Sequence, residues 1–452
     1  MKKIIVIGGV AAGMSAASKA ARTDKNAKIT VYTRENYISY SACSLPYLAQ
    51  GMISDENELI ARTPEQMLKN GVEVLTEHEV TAILPQEKKV QVKCPDGHML
   101  EDAYDELVIA AGARPIIPDF PNIDLKGIFT VKTIPDIHGI QAYMAFRKPK
   151  KAVIVGGGFI GLEMADALVE QGIEVTILEK APQILTTFDQ DMADIVASHL
   201  QENGVEIHCG CGVSGFTGND AGEVTCVVTD GDTYPADMVI LAIGVIPNSE
   251  TAAAAGIALG AKGAIQVDDH MQTNIPHIYA AGDCAVARHV VTGKDVFVPL
   301  GTTANKQGKI AGENVAGGDA SFCGITGASI FKVFALEAAR TGLTMREAEM
   351  NGIEAWESTI TSNTKASGYP GRGPITVKLM MENGTDRILG GQIVGAPGAG
   401  KRIDVITAMV QMKAAPHDFA QLDMAYAPPF SPVWDPLLVA ANQAVSKAKK
   451  RS

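Results

Sequence analysis

Two glycine-rich turns constrain this sequence more than any other feature, because each follows a short apolar run and opens a helical pattern. The first reads GGVAAG at 8–13 and the second GGGFIG at 156–161. Strand, glycine turn, helix and second strand form a dinucleotide-binding unit, since glycine lets the backbone approach a pyrophosphate at a helix N-terminus. One such turn is a weak signal, but two copies in a chain of 452 residues predict two nucleotide-binding domains.

The two units differ at the residue expected to hold the ribose of the nucleotide. In the second unit the strand after the helix ends in Glu179, and an acid there accepts hydrogen bonds from a 2′-hydroxyl and repels a 2′-phosphate. NADH is therefore favoured, with NADPH as the alternative because Lys180 is adjacent. In the first unit Thr33 stands in place of the acid, Glu35 is a candidate substitute, and Val10 replaces the middle glycine. We expect the Val10 side chain to point toward the cofactor.

Cys43, within SYSACSLPY at 39–47, is the candidate redox centre. The chain has seven cysteines, and none has the Cys-x-x-Cys or Cys-x4-Cys spacing of a dithiol centre. An oxidised Cys43 would therefore pair with a sulfur from outside the chain, or carry an oxygen. The alternative is an inert buried cysteine. The odd number and irregular spacing of the cysteines also favour a reducing, cytoplasmic location over a secreted disulfide framework.

Charge and hydropathy argue against two classes of partner. The net charge of −12 is spread along the chain, which argues against nucleic acid. The N-terminal apolar run is broken by Gly8, Gly9 and Gly13, so it predicts a buried strand rather than a secretory signal. Elsewhere, apolar segments fall short of the ~20 residues needed to span a bilayer. We predict a soluble protein that does not associate with membranes, and we assign no metal site.

Further strand ends and a change of pattern divide the chain. Apolar strands finish at Gly112, at Gly244 and at Asp283, an acid that can bind hydroxyl groups. From about residue 322, segments such as 329–335 predict antiparallel strands, so this part forms a separate α+β domain. Its tail carries a proline-rich loop with exposed aromatic residues, which is typical of an interface.

Taken together, these features resemble the two-dinucleotide-domain flavoprotein disulfide reductases over essentially the whole chain. The single cysteine in SACSLPY is similar to the branch that contains coenzyme A disulfide reductase, NADH oxidase, NADH peroxidase and NADH-dependent persulfide reductase. The resemblance implies FAD in the first unit and beside Asp283, NADH in the second unit, and a homodimer. The expected α/β fold comprises two Rossmann-like domains and a C-terminal α+β dimerisation domain: FAD-binding at 1–113 and 245–321, NAD(P)-binding at 114–244, dimerisation at 322–452.

The resemblance also implies roles for individual residues. Coenzyme A disulfide reductases pair the cysteine with tyrosines of the partner subunit, which correspond here to Tyr369 and Tyr426. NADH peroxidases place a histidine where this chain has Val10, which weighs against peroxidase activity. The implied cofactor-binding residues are Gly8, Gly9, Val10, Ala11, Gly13, Thr33, Arg34, Glu35, Val80, Ala111, Gly112, Lys132, Gly156, Gly158, Ile160, Gly161, Glu163, Glu179, Gly244, Asp283 and Ala304. The implied contacts to coenzyme A are Ser15, Lys19, Arg22, Ser39, Ala42, Asn305 and Lys306, with Arg62 and Lys69 as additional phosphate contacts.

The hypothesis is hydride transfer from NADH to FAD, followed by reduction of coenzyme A disulfide or persulfide through a mixed disulfide on Cys43. We expect a depressed pKa for this cysteine, because a helix begins nearby. Three alternatives stay open. The first is an NADH oxidase that reduces oxygen through a sulfenic acid on Cys43. The second is an electron-transfer flavoprotein for a small redox protein, and the third is a non-catalytic redox sensor.

Overall fold

A computed structural model describes residues 1–451. Within these residues the strands form seven sheets. The strands are β1 Lys3–Ile7, β2 Lys28–Tyr32, β3 Val72–Leu75, β4 Glu79–Leu84, β5 Lys89–Lys93, β6 Met99–Ala103, β7 Glu106–Ile109, β8 Ala113–Pro115, β9 Ile128–Thr130, β10 Lys151–Val155, β11 Glu174–Glu179, β12 Glu206–Cys209, β13 Val213–Gly218, β14 Val224–Thr229, β15 Thr233–Pro235, β16 Met238–Leu241, β17 Val245–Pro247, β18 Ile278–Ala280, β19 Ala287–Arg288, β20 Asp295–Val296, β21 Ser329–Val333, β22 Leu336–Gly342, β23 Ala355–Asn363, β24 Pro374–Glu382 and β25 Ile388–Gly395.

The helices alternate with the strands of the two nucleotide-binding units and cover one face of the C-terminal sheet. They are α1 Ala11–Thr23, α2 Leu45–Gln50, α3 Pro64–Lys69, α4 Ile134–Arg147, α5 Phe159–Glu170, α6 Gln190–Glu202, α7 Glu250–Ala254, α8 Gly301–Val315, α9 Met345–Met350, α10 Ile403–Gln411, α11 Pro416–Phe419 and α12 Pro436–Arg451. Short 3-10 turns occur at Ala42–Ser44, Glu56–Leu59, Ala261–Gly263 and Gly400–Arg402.

Two five-stranded parallel sheets carry the glycine turns, as the sequence predicts. The first has strand order β18-β7-β1-β2-β3 and the second β12-β11-β10-β16-β9. Their central strands are continuous apolar runs: Ile4, Ile5 and Ile154 are fully buried, as expected for parallel strands covered on both faces. The antiparallel ladder between β8 and β17 connects the two units. The domain boundaries predicted beside this ladder stay a prediction.

The C-terminal part is a separate antiparallel sheet of order β21-β22-β25-β24-β23, packed against α10 and α12. The predicted fold class, with two Rossmann-like sheets followed by an α+β domain, is confirmed. Among residues 1–451, no helix combines the length and the apolar character that crossing a bilayer requires.

The first residue of each glycine turn has a backbone conformation that other residues rarely adopt. Gly8 has a φ of 104° and Gly156 a φ of 108°. A Cβ at Gly8 would lie 2.1 Å from the carbonyl oxygen of Ala110, and one at Gly156 would lie 2.5 Å from that of Ala242. The same close approach therefore occurs in both units, between the glycine turn and the neighbouring strand end.

Helix α8 packs directly against α1 because both helices present small residues at the contact. A Cβ at Gly308 would lie 2.3 Å from the carbonyl oxygen of Ala12, and one at Gly312 would lie 2.2 Å from that of Ala16. This contact brings the C-terminal half of the first unit, with β18 and α8, onto the helix that follows the first glycine turn.

We expect Gly312→Ala to destabilise the fold by about 1–3 kcal/mol, because its methyl group would overlap backbone atoms of α1. Gly139→Ala is the matched control, since a Cβ at that position of α4 would lie 3.8 Å from the ring of Phe129. The control should be neutral or stabilising by up to about 1 kcal/mol. Denaturant unfolding of the two variants checks this, and equal midpoints would refute the close packing of α1 on α8.

Candidate active site

Helices α1 and α5, which follow the glycine turns, begin without side-chain caps. Their N-cap residues, Val10 and Gly158, make no side-chain hydrogen bond to the first turn. In contrast, α3, α4 and α9 begin at threonines that form capping boxes. The first-turn N–H groups of α1 and α5 therefore lack a capping side chain, and a pyrophosphate would supply acceptor oxygens and negative charge there. Both positions fit the dinucleotides expected of them, FAD at α1 and NAD(P)H at α5.

The two candidates for the missing ribose acid have different surroundings. The carboxylate of Glu35 accepts a hydrogen bond from the hydroxyl of Tyr40 at 2.8 Å. Thr33 is buried, and a Cβ at Gly9 would lie 2.9 Å from its methyl group. Thr33 therefore lies against the glycine turn, whereas Glu35 holds the segment that leads to Cys43.

Asp283 is brought to the starts of α1 and α8 by a close backbone approach. Gly282 has a φ of 83°, and a Cβ there would lie 2.7 Å from that of Ala12. Its N–H donates to the fully buried side chain of Gln307 at 2.9 Å. The carboxylate of Asp283 then lies 3.3 Å from Nζ of Lys132. Gln307 was not identified as a site residue from the sequence. Its position could have been noticed, because it is a polar residue on a helix face of otherwise small residues.

In the second site the carboxylate of Glu179 is fixed at the end of β11. One oxygen accepts the N–H of Gly157 and the other accepts the N–H of Ala181, each at 2.7 Å. The space beside Gly158 is open, with no atom within 4 Å of a Cβ placed there, and Ile160 is 38% exposed. The carboxylate therefore borders an open cradle, and its remaining lone pairs can accept hydrogen bonds from ribose hydroxyls.

The cysteine segment is attached to the first glycine turn through Ser39. The N–H of Ser39 donates to the carbonyl of Gly9 at 2.8 Å, and its own carbonyl accepts the N–H of Ala61 at 2.8 Å. Its φ of 49° turns the chain at this point. Cys43 follows in the 3-10 turn Ala42–Ser44 and is exposed. The thiol is therefore held beside the first nucleotide site and is accessible to a substrate.

The pKa of Cys43 is shifted upward, which contradicts the expected depression. Although the side chain reaches solvent, removal of water around the sulfur raises the thiol pKa, and the carboxylates of Glu163 and Asp283 raise it further. Lys132 acts in the opposite direction. The expectation failed because burial of the sulfur disfavours the thiolate, and because two carboxylates from distant parts of the chain face the thiol as well as the nearby cation.

Glu163 itself has an unusual pKa. Burial, followed by the charge of Asp166, raises the pKa of Glu163 from 4.5 to about 7. Its charge opposite Cys43 therefore changes near neutral pH. Because the pKa of Glu163 is higher in the folded state than in the unfolded state, its ionisation lowers the free energy of unfolding as pH rises from about 4.5 to about 7. Below that window the stability cost is absent, and above it the cost is complete.

Four side chains join α1 to α8, and three of them are predicted to bind coenzyme A. Ser15, Lys19 and Arg22 recur at helical spacing, and the hydroxyl of Ser15 donates to the side-chain oxygen of Asn305 at 2.7 Å. Nζ of Lys19 lies 2.9 Å from the carboxylate of Glu313. Ser15, Lys19 and Asn305 thus share one surface, the α1–α8 surface. Glu313 is a further residue of this surface that the sequence did not indicate.

The other predicted substrate residues are more scattered. Lys306 is exposed beside Asn305 on α8, and Arg62 is exposed one residue after Ala61, which pairs with the cysteine segment. Lys69 is exposed at the end of α3, and within residues 1–451 no hydrogen bond or ion pair joins it to this surface.

Tyr369 and Tyr426 lie on two neighbouring loops of the C-terminal domain, the tyrosine loops. The Tyr369 loop (residues 364–373) connects β23 to β24, and the Tyr426 loop (residues 420–435) connects α11 to α12. They are 38% and 48% exposed. The N–H of Ala366, in the first loop, donates to the carbonyl of Pro428, in the second, at 3.2 Å. The structure thus brings the two tyrosine loops together, but within residues 1–451 no hydrogen bond joins either tyrosine to Cys43.

Other predicted cofactor residues lie around the ladder between the two units. Asn248 donates its side-chain N–H to the carbonyl of Ala111 at 2.8 Å and its backbone N–H to that of Gly112 at 2.9 Å. The carbonyl of Gly244 accepts the N–H of Ile116 at 3.0 Å. Val10 packs partly against the core cluster that contains α2 and α5. Arg34 is exposed, Val80 is half-buried and Ala304 is buried.

Comparison with protein families gives two matches that together cover most of the chain. Residues 2–308 match the model described as pyridine nucleotide-disulphide oxidoreductase. Residues 328–437 match the model of the dimerisation domain of the same group.

Individual relatives extend over nearly the full length. An NAD(P)H sulfur oxidoreductase (CoA-dependent) from Pyrococcus abyssi is 40% identical over 443 residues, covering 98% of each chain. An NADH oxidase from Methanocaldococcus jannaschii is 38% identical over 451 residues, covering 99% of this chain and 100% of the relative. The structure of an NAD-dependent persulfide reductase from A. fulgidus is similar with a TM-score of 0.95 at 39% identity, covering 99% of this chain and 84% of that chain.

We expect Glu163→Gln to lower the pKa of Cys43, because it removes the carboxylate that contributes most to the upward shift. The alkylation rate of Cys43, followed by mass spectrometry of its peptide across pH 6–9, should reach half its maximum at lower pH in this variant. Glu170→Gln, an exposed position on the same helix, should leave the profile unchanged. Identical profiles for wild type and Glu163→Gln would show that Glu163 does not act on the thiol.

Proposed function

Because the chain belongs to the pyridine nucleotide-disulphide oxidoreductase family, it is an NAD(P)H-dependent oxidoreductase of the flavoprotein type, and we propose that it reduces coenzyme A disulfide or coenzyme A persulfide through Cys43. One observation carries the proposal: the segment that holds the accessible thiol is attached to the first glycine turn by the hydrogen bond from the backbone N–H of Ser39 to the carbonyl of Gly9. From the same turn extends α1, with the cationic residues Lys19 and Arg22. The cysteine segment and α1, which carries the proposed phosphate-binding residues, are thus both attached to the first glycine turn.

Bound FAD supplies a two-electron carrier between NAD(P)H and sulfur. Cys43, as the thiolate, attacks one sulfur of the substrate disulfide; a bond forms between the cysteine and one coenzyme A, and the second coenzyme A leaves as a thiolate that takes a proton. Two electrons from NAD(P)H then reopen the mixed disulfide and release the first coenzyme A. With a persulfide, the same attack releases hydrosulfide in place of the second thiolate.

The raised pKa of the thiol makes substrate binding part of activation. At rest, Glu163 and Asp283 favour the protonated cysteine. The nucleophile must therefore lose a proton when the substrate is in place, and Lys132 is the cation among its neighbours that favours the thiolate.

The α1–α8 surface suits the phosphates of coenzyme A. Guanidinium groups bind phosphate in a bidentate manner, and ammonium groups bind it as point charges. Arg22 is exposed and Lys19 is held by Glu313 at 2.9 Å. In this proposal the phosphate displaces that carboxylate, while Ser15 and Asn305 contact the pantetheine part.

Tyr369 and Tyr426 of the partner subunit donate a proton or a hydrogen bond to the leaving thiolate in this proposal. Both hydroxyls belong to half-exposed side chains on loops that contact each other. The matched dimerisation domain supports a homodimer, in which these loops would reach the cysteine of the other subunit. NADH is the preferred donor in the proposal, because the fixed carboxylate of Glu179 repels a 2′-phosphate.

A second candidate function is an NADH oxidase that reduces oxygen through a sulfenic acid on Cys43. The full-length similarity to a protein of that name supports it. The chain offers Val10 in place of an acid–base histidine, so the oxygen reaction would need another proton donor, and we rank it second.

We expect Cys43→Ser to abolish NADH oxidation with coenzyme A disulfide and coenzyme A persulfide, because serine cannot form the mixed disulfide. Steady-state rates of the FAD-loaded proteins with these two acceptors and with air-saturated buffer check this. The acceptor that wild type reduces fastest then identifies the enzyme as a disulfide reductase, a persulfide reductase or an oxidase. Undiminished turnover in Cys43→Ser would refute the mixed-disulfide mechanism and favour a small redox protein as acceptor.

We expect the double variant Tyr369→Phe/Tyr426→Phe to lower kcat with coenzyme A disulfide by about 10²-fold or more, the scale of general acid catalysis. Electron transfer to a one-electron dye, which needs no leaving thiolate, should change less than about twofold. A kcat equal to that of wild type would exclude the tyrosines from the reaction.

A further inference from the structure

A buried ion pair lies behind the two tyrosine loops. Nε of Arg402 lies 3.0 Å from Oδ2 of Asp435, and their side chains are only 11% and 8% exposed. The same oxygen accepts the hydroxyl of Ser431 at 2.9 Å, and Oδ1 accepts the N–H of Leu437 at 2.9 Å, at the start of α12. Asp435 is therefore anchored to helix α12, and it fixes the orientation of the guanidinium.

The guanidinium reaches the base of the Tyr369 loop. One terminal nitrogen of Arg402 donates to the carbonyl of Thr364 at 3.2 Å. Thr364 closes this loop, since its N–H donates to the carbonyl of Gly373 at 2.9 Å and its hydroxyl accepts the N–H of Gly373 at 3.3 Å. Thr364 is fully buried, so the loop that carries Tyr369 starts and ends at a fixed point.

The same nitrogen also reaches the Tyr426 loop. It donates to the carbonyl of Phe430 at 2.7 Å. The N–H of Phe430 closes a turn on Ala427 at 2.9 Å, next to Tyr426. The other terminal nitrogen donates to the carbonyl of Gly398. One side chain thus binds the backbone of both tyrosine loops and the segment that leads into its own helix.

We propose that Arg402, oriented by Asp435, is the positioning residue that sets the mutual placement of Tyr369 and Tyr426 for the proton transfer of the reaction. The inference rests on the proposed function, because it assumes that the two tyrosines act on the leaving thiolate. Arg402 touches neither substrate nor cofactor in this role; it acts through the two loops. Its planar fork of five donors explains why an arginine is required, since a lysine has a single donor group that cannot span both carbonyls and the carboxylate.

The test uses Arg402→Lys in the full-length, FAD-loaded enzyme, because lysine keeps the charge opposite the buried Asp435, which Arg402→Ala would leave unpaired. We expect kcat with coenzyme A disulfide to fall about tenfold or more, the effect of a small misplacement of reacting groups. KM for NADH and the rate with a one-electron dye should stay within about twofold, since neither depends on the tyrosines. Arg387→Lys is the matched control: this arginine also pairs with a carboxylate, Glu382 at 2.7 Å, in the same domain, and its variant should retain wild-type kcat.

Combination with the tyrosine variants separates positioning from general loss of structure. In the Tyr369→Phe/Tyr426→Phe background, Arg402→Lys should cause no further loss of kcat, because its effect passes through the two hydroxyls. A multiplicative loss in the triple variant, a parallel fall in the dye rate, or an unchanged kcat in Arg402→Lys alone would each overturn the inference. If the tyrosine double variant loses activity and Arg402→Lys does not, the inference fails and the proposed function stands. If the double variant itself keeps wild-type kcat, the tyrosine step and the inference fall together.

Discussion

Contact between backbones at the first glycine turn is the constraint on which the site depends. The turn has no room for a side chain at its first and last glycines: a Cβ at Gly8 would lie 2.1 Å from the carbonyl oxygen of Ala110, and one at Gly13 would lie 1.9 Å from that of Gly8. Helix α8 meets α1 at a similar distance through Gly312. This packing places the start of α8, Asp283 and the cysteine segment around one helix end. The first glycine turn, the cysteine segment and the surface that carries Ser15 and Lys19 are therefore grouped around α1 without a separate scaffold for each.

The charges around Cys43 favour a resting thiol over a reactive thiolate. A protonated cysteine reacts slowly with peroxides and with unrelated disulfides, because the thiolate is the nucleophile. Since Glu163 changes its protonation near neutral pH, the charge opposite the thiol is adjustable rather than fixed. A site of this kind gains selectivity when its nucleophile is activated by the bound substrate instead of being permanently ionised.

The sequence predicted what depends on neighbouring residues. Apolar runs marked the parallel strands, the glycine turns marked both nucleotide sites, and helical spacing placed Ser15 and Lys19 on one surface. What it could not predict depends on residues far apart in the chain. Burial of the sulfur raises the pKa of Cys43, and so does the carboxylate of Glu163, which faces Cys43 only after α5 packs against α2; both effects run against the expected direction. Gln307 likewise gave no motif, because its side chain joins two backbone groups, the N–H of Gly282 and the carbonyl of Val286.

The tyrosine loops connect assembly with catalysis. Phe430, Val433 and Trp434, in the same loop as Tyr426, are 75%, 66% and 62% exposed. Large apolar side chains left in water are costly at about 25 cal/mol per Å², so covering them in a dimer favours association. The loop that would be buried by association also carries one proposed proton donor, and Arg402 binds it to the loop that carries the other. A rigid pair of loops loses little conformational freedom when the subunits meet, so the ion pair that orders them would strengthen the dimer and complete the site at once.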